Sequence, residues 1–149
     1  MTRLESYLLF DGTCAEAMRF YETILGGKTD LLPVAGSPAE EQMGAHAADR
    51  TLHARLVFGT GGGGVLMASD WLAAEPYPGM SGFSLSLGYP TIEEARRVFD
   101  TLAEGGHISM PFQPTFWSPG FGMLNDRFGT PWMVASGPDT TANEGEKSS

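Results

Sequence analysis

The chain contains one helix written twice. A shift of 78 positions, residue 13 onto residue 91, lays Thr13 on Thr91, Glu16 on Glu94, Ala17 on Ala95, Tyr21 on Phe99, Thr23 on Thr101 and Ile24 on Leu102. The match extends upstream to Ser6 on Ser84 and Leu9 on Leu87, and downstream to the pairs Gly26-Gly27 and Gly105-Gly106. A duplication constrains the fold more than any composition does, because each copy has to form the same supersecondary unit.

Each copy has local reasons to start and stop. Thr13 and Thr91 are spaced to accept a hydrogen bond from the amide three residues on while Glu16 and Glu94 reach back, a capping box worth about 0.5–2 kcal/mol at the threonine. In the second copy Ile92, Ala95, Val98, Phe99 and Leu102 form an apolar stripe at three- and four-residue spacing, which calls for a greasy partner. That partner is a sheet, since 7–10 and 83–87 read as strands and the latter alternates apolar residues with hydroxyls.

The repeat continues past the helices. Residues 55–60 align with 125–130 at an offset of 70, then 66–69 with 133–136 at 67, the steps being a longer polar loop over 35–50 and extra glycines in the run Gly61 to Gly64. Each half therefore reads strand, helix, three strands. The expected fold is α+β: tandem βαβββ repeats with a curved mixed sheet and helices outside. The expected organisation is a first module over 1–72, a linker over 73–80 with Pro76, Pro78 and Gly79, a second module over 81–136, and a disordered tail over 137–149 poor in apolar side chains.

Composition narrows the function classes. No apolar run approaches a membrane span, and the first five residues lead into a strand without the apolar region of a secretion signal. A single cysteine, Cys14, cannot form an internal disulfide, which suits a reducing, cytoplasmic setting; at the start of a helix it reads as a small inert residue rather than a reactive thiol. A net charge of −9 offers nucleic acid no basic patch.

Several segments carry a family resemblance: Phe10-Asp11-Gly12, Phe20-Tyr21, His53-Ala54-Arg55-Leu56, Leu66-Met67-Ala68-Ser69-Asp70, the stretch 82–87, Thr115-Phe116-Trp117, the stretch 121–129 and Pro131-Trp132-Met133. With the paired βαβββ units they resemble the vicinal-oxygen-chelate superfamily of glyoxalases, extradiol dioxygenases, fosfomycin-resistance enzymes and bleomycin-binding proteins. Within it they resemble the PhnB-like branch, also called 3-demethylubiquinone methyltransferase-like. The resemblance implies a sheet curled into a cup, helices packed outside it, a ligand within, and frequent homodimers. Methyl transfer itself has no support in the residues, because the chain lacks a strand-to-helix glycine-rich turn for an adenosyl cofactor.

Strand parity assigns faces to residues. In the second half Phe83, Leu85 and Leu87 suit the helix side, leaving Ser84 and Ser86 for the cup. Carried back by the repeat, this puts Ser6, Leu8 and Phe10 in the cup of the first half. Leu56 and Phe58 suit the core, so His53, Arg55 and Val57 look into the cavity, with Met123, Asn125 and Arg127 as counterparts and Leu66 and Met133 inward on the last strands. Catalytic relatives take His, Gln or Glu ligands from first and last strands, and the matching positions here are Ser6, Leu66, Ser84 and Met133. Hydroxyl, aliphatic and thioether groups do not suit Mg²⁺, Mn²⁺ or Zn²⁺, so neither a metal nor another cofactor is expected.

The remaining anchors are few. His53 is the candidate catalytic residue, as a general base, and equally a residue that merely hydrogen-bonds a neighbour. Arg55 can offer a planar fork to a carboxylate, or pair with Asp70, Asp126 or Glu5. Phe116 and Trp117, in a Pro- and Gly-punctuated loop, can stack on a ligand or form a dimer interface. The expected ligand-binding set is Ser6, Phe10, His53, Arg55, Ser84, Ser86, Phe116, Trp117 and Asn125. Three classes follow: a metal-free small-molecule binder, a histidine-based or metal-dependent isomerase, lyase or transferase, and a structural partner protein with a filled cup. The expected partners are a small-molecule ligand and a second copy of the chain, with neither nucleic acid nor membrane.

Overall fold

The computed structural model describes residues 2–137. They fall into two compact units, one running to Gly79 and the other starting at Met80. The tail expected over 137–149 lies, beyond Gly137, outside the described residues. The first unit contains β1 (Ser6–Phe10), α1 (Cys14–Leu25), β2 (Lys28–Pro33), a short α2 (Glu40–Met43), β3 (Thr51–Phe58) and β4 (Gly64–Asp70). Its sheet runs β1-β4-β3-β2, with β1 parallel to β4 and the other pairs antiparallel. The second unit contains β5 (Leu85–Tyr89), α3 (Ile92–Ala103), β6 (His107–Gln113), β7 (Gly120–Asn125) and β8 (Pro131–Ser136). Its sheet runs β5-β8-β7-β6 with the same mixture of directions. The fold is α+β, a βαβββ unit repeated in tandem, and each unit has its own four-stranded mixed sheet.

In each unit one face of the sheet is buried with the helix. Leu8, Phe10, Leu56, Leu66 and Ala68 share the first core with Ala17, Met18 and Tyr21 of α1, and the rings of Phe10 and Tyr21 lie 6.5 Å apart. Leu124, Trp132 and Val134 share the second with Ala95, Val98, Phe99 and Leu102 of α3. Each large apolar side chain so buried contributes roughly 1.5–3 kcal/mol. The 73–80 stretch, expected as a linker, belongs to the first unit as far as Gly79.

The faces of β1 differ from the expectation, for an instructive reason. The same backbone bond closes both parallel pairs, Trp71 N to Phe10 O and Gly137 N to Tyr89 O, each at 2.6 Å. Phe10 therefore matches Tyr89, an offset of 79, while the helices match at 78. The connection from β1 to α1 (Asp11-Gly12-Thr13) is one residue longer than that from β5 to α3 (Pro90-Thr91). Because side chains alternate with period two, a slip of one residue transfers every assignment to the wrong face. Ser6, Leu8 and Phe10 accordingly lie on the helix side, and Tyr7 and Leu9 on the open side. A separate one-residue error, aligning 66–69 with 133–136 at 67 where Asp70 and Ser136 match at 66, misplaced Leu66, which is 4% exposed and in the core, whereas Met67 faces out.

The two helices are also capped differently. Thr91 Oγ1 accepts from Glu94 N at 3.2 Å, as the capping-box spacing requires. Thr13 makes no such bond. The start of α1 is instead held by Asp70 at the end of β4, whose Oδ1 accepts from Gly12 N and Cys14 N, both at 2.9 Å. Thr91→Ala should therefore lower stability by about 1 kcal/mol, while Thr13→Ala should change it by less than about 0.5 kcal/mol. Urea unfolding of the two variants checks this contrast, and equal losses would contradict it.

Candidate functional site

The helix-free face of the first sheet gathers its polar residues on neighbouring strands. Tyr7 of β1 pairs in register with Met67 of β4, which pairs with Arg55 of β3, which pairs with Asp30 of β2. These side chains form one row across the open face. His53 and Leu32 form the next row on β3 and β2. The Tyr7 hydroxyl lies 3.0 Å from His53 Nδ1, with the two rings 5.6 Å apart. If the phenol donates this bond, the neutral imidazole carries its proton on Nε2, leaving a defined donor there.

Arg55 sits beside this pair. Its guanidinium is 3.9 Å from Glu5, too long for a hydrogen bond, and Glu5 is held more closely by Arg3 at 2.7 Å. An exposed pair of that kind contributes little. Asp70 is not its partner, and Asp126 belongs to the second unit. Asp70 lies on the helix side capping α1, and Asp126 caps its own turn, accepting from Phe128 N (2.9 Å), Thr130 N (3.0 Å) and Trp132 Nε1 (2.8 Å). The apolar surroundings are open, with Tyr7, Leu9 and Leu32 between 36% and 48% exposed.

The second sheet presents a different open face. Ser86 pairs with Met133 and Met133 with Met123, while Asn125 lies two residues further along β7, opposite His107. Ser84 precedes β5 with the same parity. The aromatic loop stands beside this face: Trp117 packs edge-on against Phe121 at 5.4 Å, and Phe116 edge-on against Trp117 at 4.7 Å. Ser118 anchors the loop, its hydroxyl 2.9 Å from Ser136 O. Phe116 remains 97% exposed.

Two of the expected site residues do not reach an open face. Phe10 is fully buried against Tyr21, and Ser6 lies on the same side, its hydroxyl 3.4 Å from Val65 O. Tyr7 takes their place. Sequence alignment overlooked it because the repeat was carried through a connection one residue longer in the first half. The missed signal was the alternation in β1 itself, in which Leu8 and Phe10 form the apolar pair best suited to a helix.

The metal question can be put again with the true faces. The donor-bearing open positions on first and last strands are Tyr7, Met67 and Ser69 in the first unit, and Ser86 and Met133 in the second. A phenol, two hydroxyls and two thioethers do not form a ligand set for a hard divalent ion, nor do they supply the imidazoles and thiolates that hold zinc. Among the described residues, no three His, Cys, Asp or Glu side chains are grouped to hold a metal.

Cys14 is fully buried at the start of α1. Burial first, and then the charge of Asp70, push its thiol up to about 12. Native protein at pH 9 should therefore react with iodoacetamide at least about a hundredfold more slowly than protein unfolded in urea, because only the thiolate attacks. Comparable rates would show that α1 opens freely.

Two βαβββ units, each with a helix on one face of a mixed sheet and the other face uncovered, define the glyoxalase/bleomycin-resistance class of fold. The family model of the Glyoxalase/Bleomycin resistance protein/Dioxygenase superfamily matches residues 3–134, and the chain belongs to that superfamily. Protein YjdN of Escherichia coli (strain K12) is 34% identical over 140 residues, 88% of this chain and 92% of that protein. The crystal structure of protein PA1353 from Pseudomonas aeruginosa is 44% identical with a TM-score of 0.85, covering 93% of this chain and 100% of that one. A PhnB protein from Bacillus cereus, whose name carries the 3-demethylubiquinone-9 3-methyltransferase designation, is 26% identical with a TM-score of 0.73 over 91% of this chain and 100% of that one. The chain is thus PhnB-like. Among the described residues no helix is long and apolar enough to cross a membrane.

Proposed function

We propose that this chain binds a small organic ligand on the open face of its first sheet, without the divalent ion of catalytic relatives, and that it works as a homodimer. The observation that carries the reading is the Tyr7–His53 pair, 3.0 Å apart among exposed Leu9 and Leu32. A few polar groups set in an apolar surround is the composition of a ligand pocket. His53 and Arg55 supply the polar contacts to the ligand. In the second unit Ser84, Ser86 and Asn125 offer hydrogen bonds, and Phe116 and Trp117 offer stacking surface.

The opposite tautomer of the same pair, with Nδ1–H donating to the Tyr7 oxygen and Nε2 unprotonated, supports a second reading in which His53 is a general base. Both readings keep the ligand on the same face. A native mass spectrum of untreated protein, recorded for bound mass and subunit count, tests the first. The expected result is a dimer carrying a displaceable organic mass that His53→Ala loses. A transition-metal or magnesium ion bound in stoichiometric amount would overturn the metal-free reading, and turnover of the released compound would favour the second.

A further inference from the structure

A cavity lies apart from the open sheet face. The stretch from Trp71 to Tyr77 leaves β4, folds back on β1 and walls one side of a half-open cleft of about 400 Å³, lined among others by Asp11, His46, Arg50, Trp71, Glu75 and Tyr77. That volume falls within the range of small-molecule sites. Its walls are pinned: Trp71 N donates to Phe10 O (2.6 Å), Trp71 Nε1 to Glu75 O (2.7 Å), and the Tyr77 hydroxyl to Leu9 O.

Arg50 is fixed in this wall through two of its donors. Arg50 gives one terminal nitrogen to Trp71 O at 2.9 Å and the other to Asp11 Oδ1 at 2.8 Å. His46 Nε2 lies 2.9 Å from Leu72 O; a carbonyl only accepts, so that nitrogen donates. The acidic residues Asp11 and Glu75 both line the cavity, and the Asp11 carboxylate pairs with Arg50 at 2.8 Å. Burial first, and then the charge of Asp11, raise the Tyr77 phenol above its ordinary range. The rings of Trp71 and Tyr77 meet at 70° with centroids 6.1 Å apart, forming two sides of a corner.

We propose that this cavity binds a small organic ammonium ion of the methylated-amine class, its alkyl groups against Trp71 and Tyr77 and its charge compensated by Asp11 and Glu75. Aromatic faces carry negative quadrupole density, and nearly perpendicular rings with an excess of carboxylate are how proteins recognise alkylated ammonium groups. A carboxylate ligand is disfavoured, because the Asp11 carboxylate stands in the same wall and already pairs with Arg50.

The test is a titration of the ¹⁵N-labelled full chain with choline, following the Trp71 indole N–H, assigned with Trp71→Phe. The expected result is a saturable shift, with the neutral isostere 3,3-dimethylbutan-1-ol binding about tenfold more weakly. Glu75→Gln, which keeps the backbone carbonyl that holds the indole, should weaken choline several-fold and lessen the effect of added salt. His53→Ala should leave choline binding unchanged, separating this cavity from the sheet face. Equal binding of the isostere, preference for benzoate over choline, or no saturable shift would each overturn the proposal.

Discussion

Replacing Asp70 by alanine should lower the unfolding free energy by about 4 kcal/mol, more than any other single change on the surface or in the loops. Asp70 is 2% exposed, and its two oxygens accept three backbone N–H groups, Gly12 and Cys14 at 2.9 Å and Thr51 at 2.8 Å. Removing the carboxylate strands three donors in a buried setting, each costing about 1–3 kcal/mol. It also removes a negative charge from the start of α1, where the helix dipole favours one. The bond to Thr51 ties the start of β3 to the end of β4, so the loss couples helix, strand and the 71–77 strap. Urea unfolding by circular dichroism reads the effect, and a loss below about 1 kcal/mol would show that water satisfies these amides. Asp70→Asn should fall between the two, since its NH₂ group cannot accept.

The second large effect is expected at Gly27. A Cβ there would overlap the carbonyl oxygen of Val57 and sit 2.9 Å from Phe58 Cα, and the residue has φ +86. Gly27→Ala should cost at least about 3 kcal/mol, because backbone on a central strand cannot move aside as a flexible side chain could. Two controls separate the causes. Gly26 has φ +78 but open space, so Gly26→Ala should show the conformational strain alone, about 1 kcal/mol. Gly106 meets the same obstacle, the carbonyl oxygen of Asn125, without a positive φ, so Gly106→Ala should show the clash. If Gly27→Ala costs no more than Gly26→Ala, the close approach of α1's exit to β3 is wrong.

These paired glycines also show how the duplication should be aligned. Gly27 on Gly106 is an offset of 79 and Val57 on Asn125 an offset of 68, and both units make the same contact between them. Residue identity favours 70 for the latter strand, from Arg55-to-Thr60 on Asn125-to-Thr130. That shift is even, so the faces of His53, Arg55 and Asn125 came out correctly; the odd errors at β1 and β4 put Ser6, Phe10 and Leu66 on the wrong side. The number of intervening loop residues, rather than similarity, decided which assignments survived.

Local chemistry explains much of what was readable. The α3 stripe, its Thr91 cap and the turn from Asp126 to Gly129, with φ +93 at the glycine, involve residues within a few positions of one another. Their interactions can be inferred from spacing. The cap on α1 comes from Asp70, fifty-six residues after Cys14, so no local pattern announces it. The Tyr7–His53 contact likewise spans forty-six residues and exists only because β4 lies between β1 and β3 in the sheet.

The primary structure alone determined that two copies of a strand-helix-three-strand unit would form, because helical periodicity, strand alternation and turn residues act over short range. Tertiary structure decided which alternate side chains of β1 and β4 face outward, and which distant carboxylate caps α1. It also decided that residues 71–77 wall a cavity rather than run as a tether. The reason is physical: a one-residue difference in a connection leaves hydrophobic content unchanged but rotates a strand by half its period, and only the hydrogen-bonded register of neighbouring strands selects between the two settings.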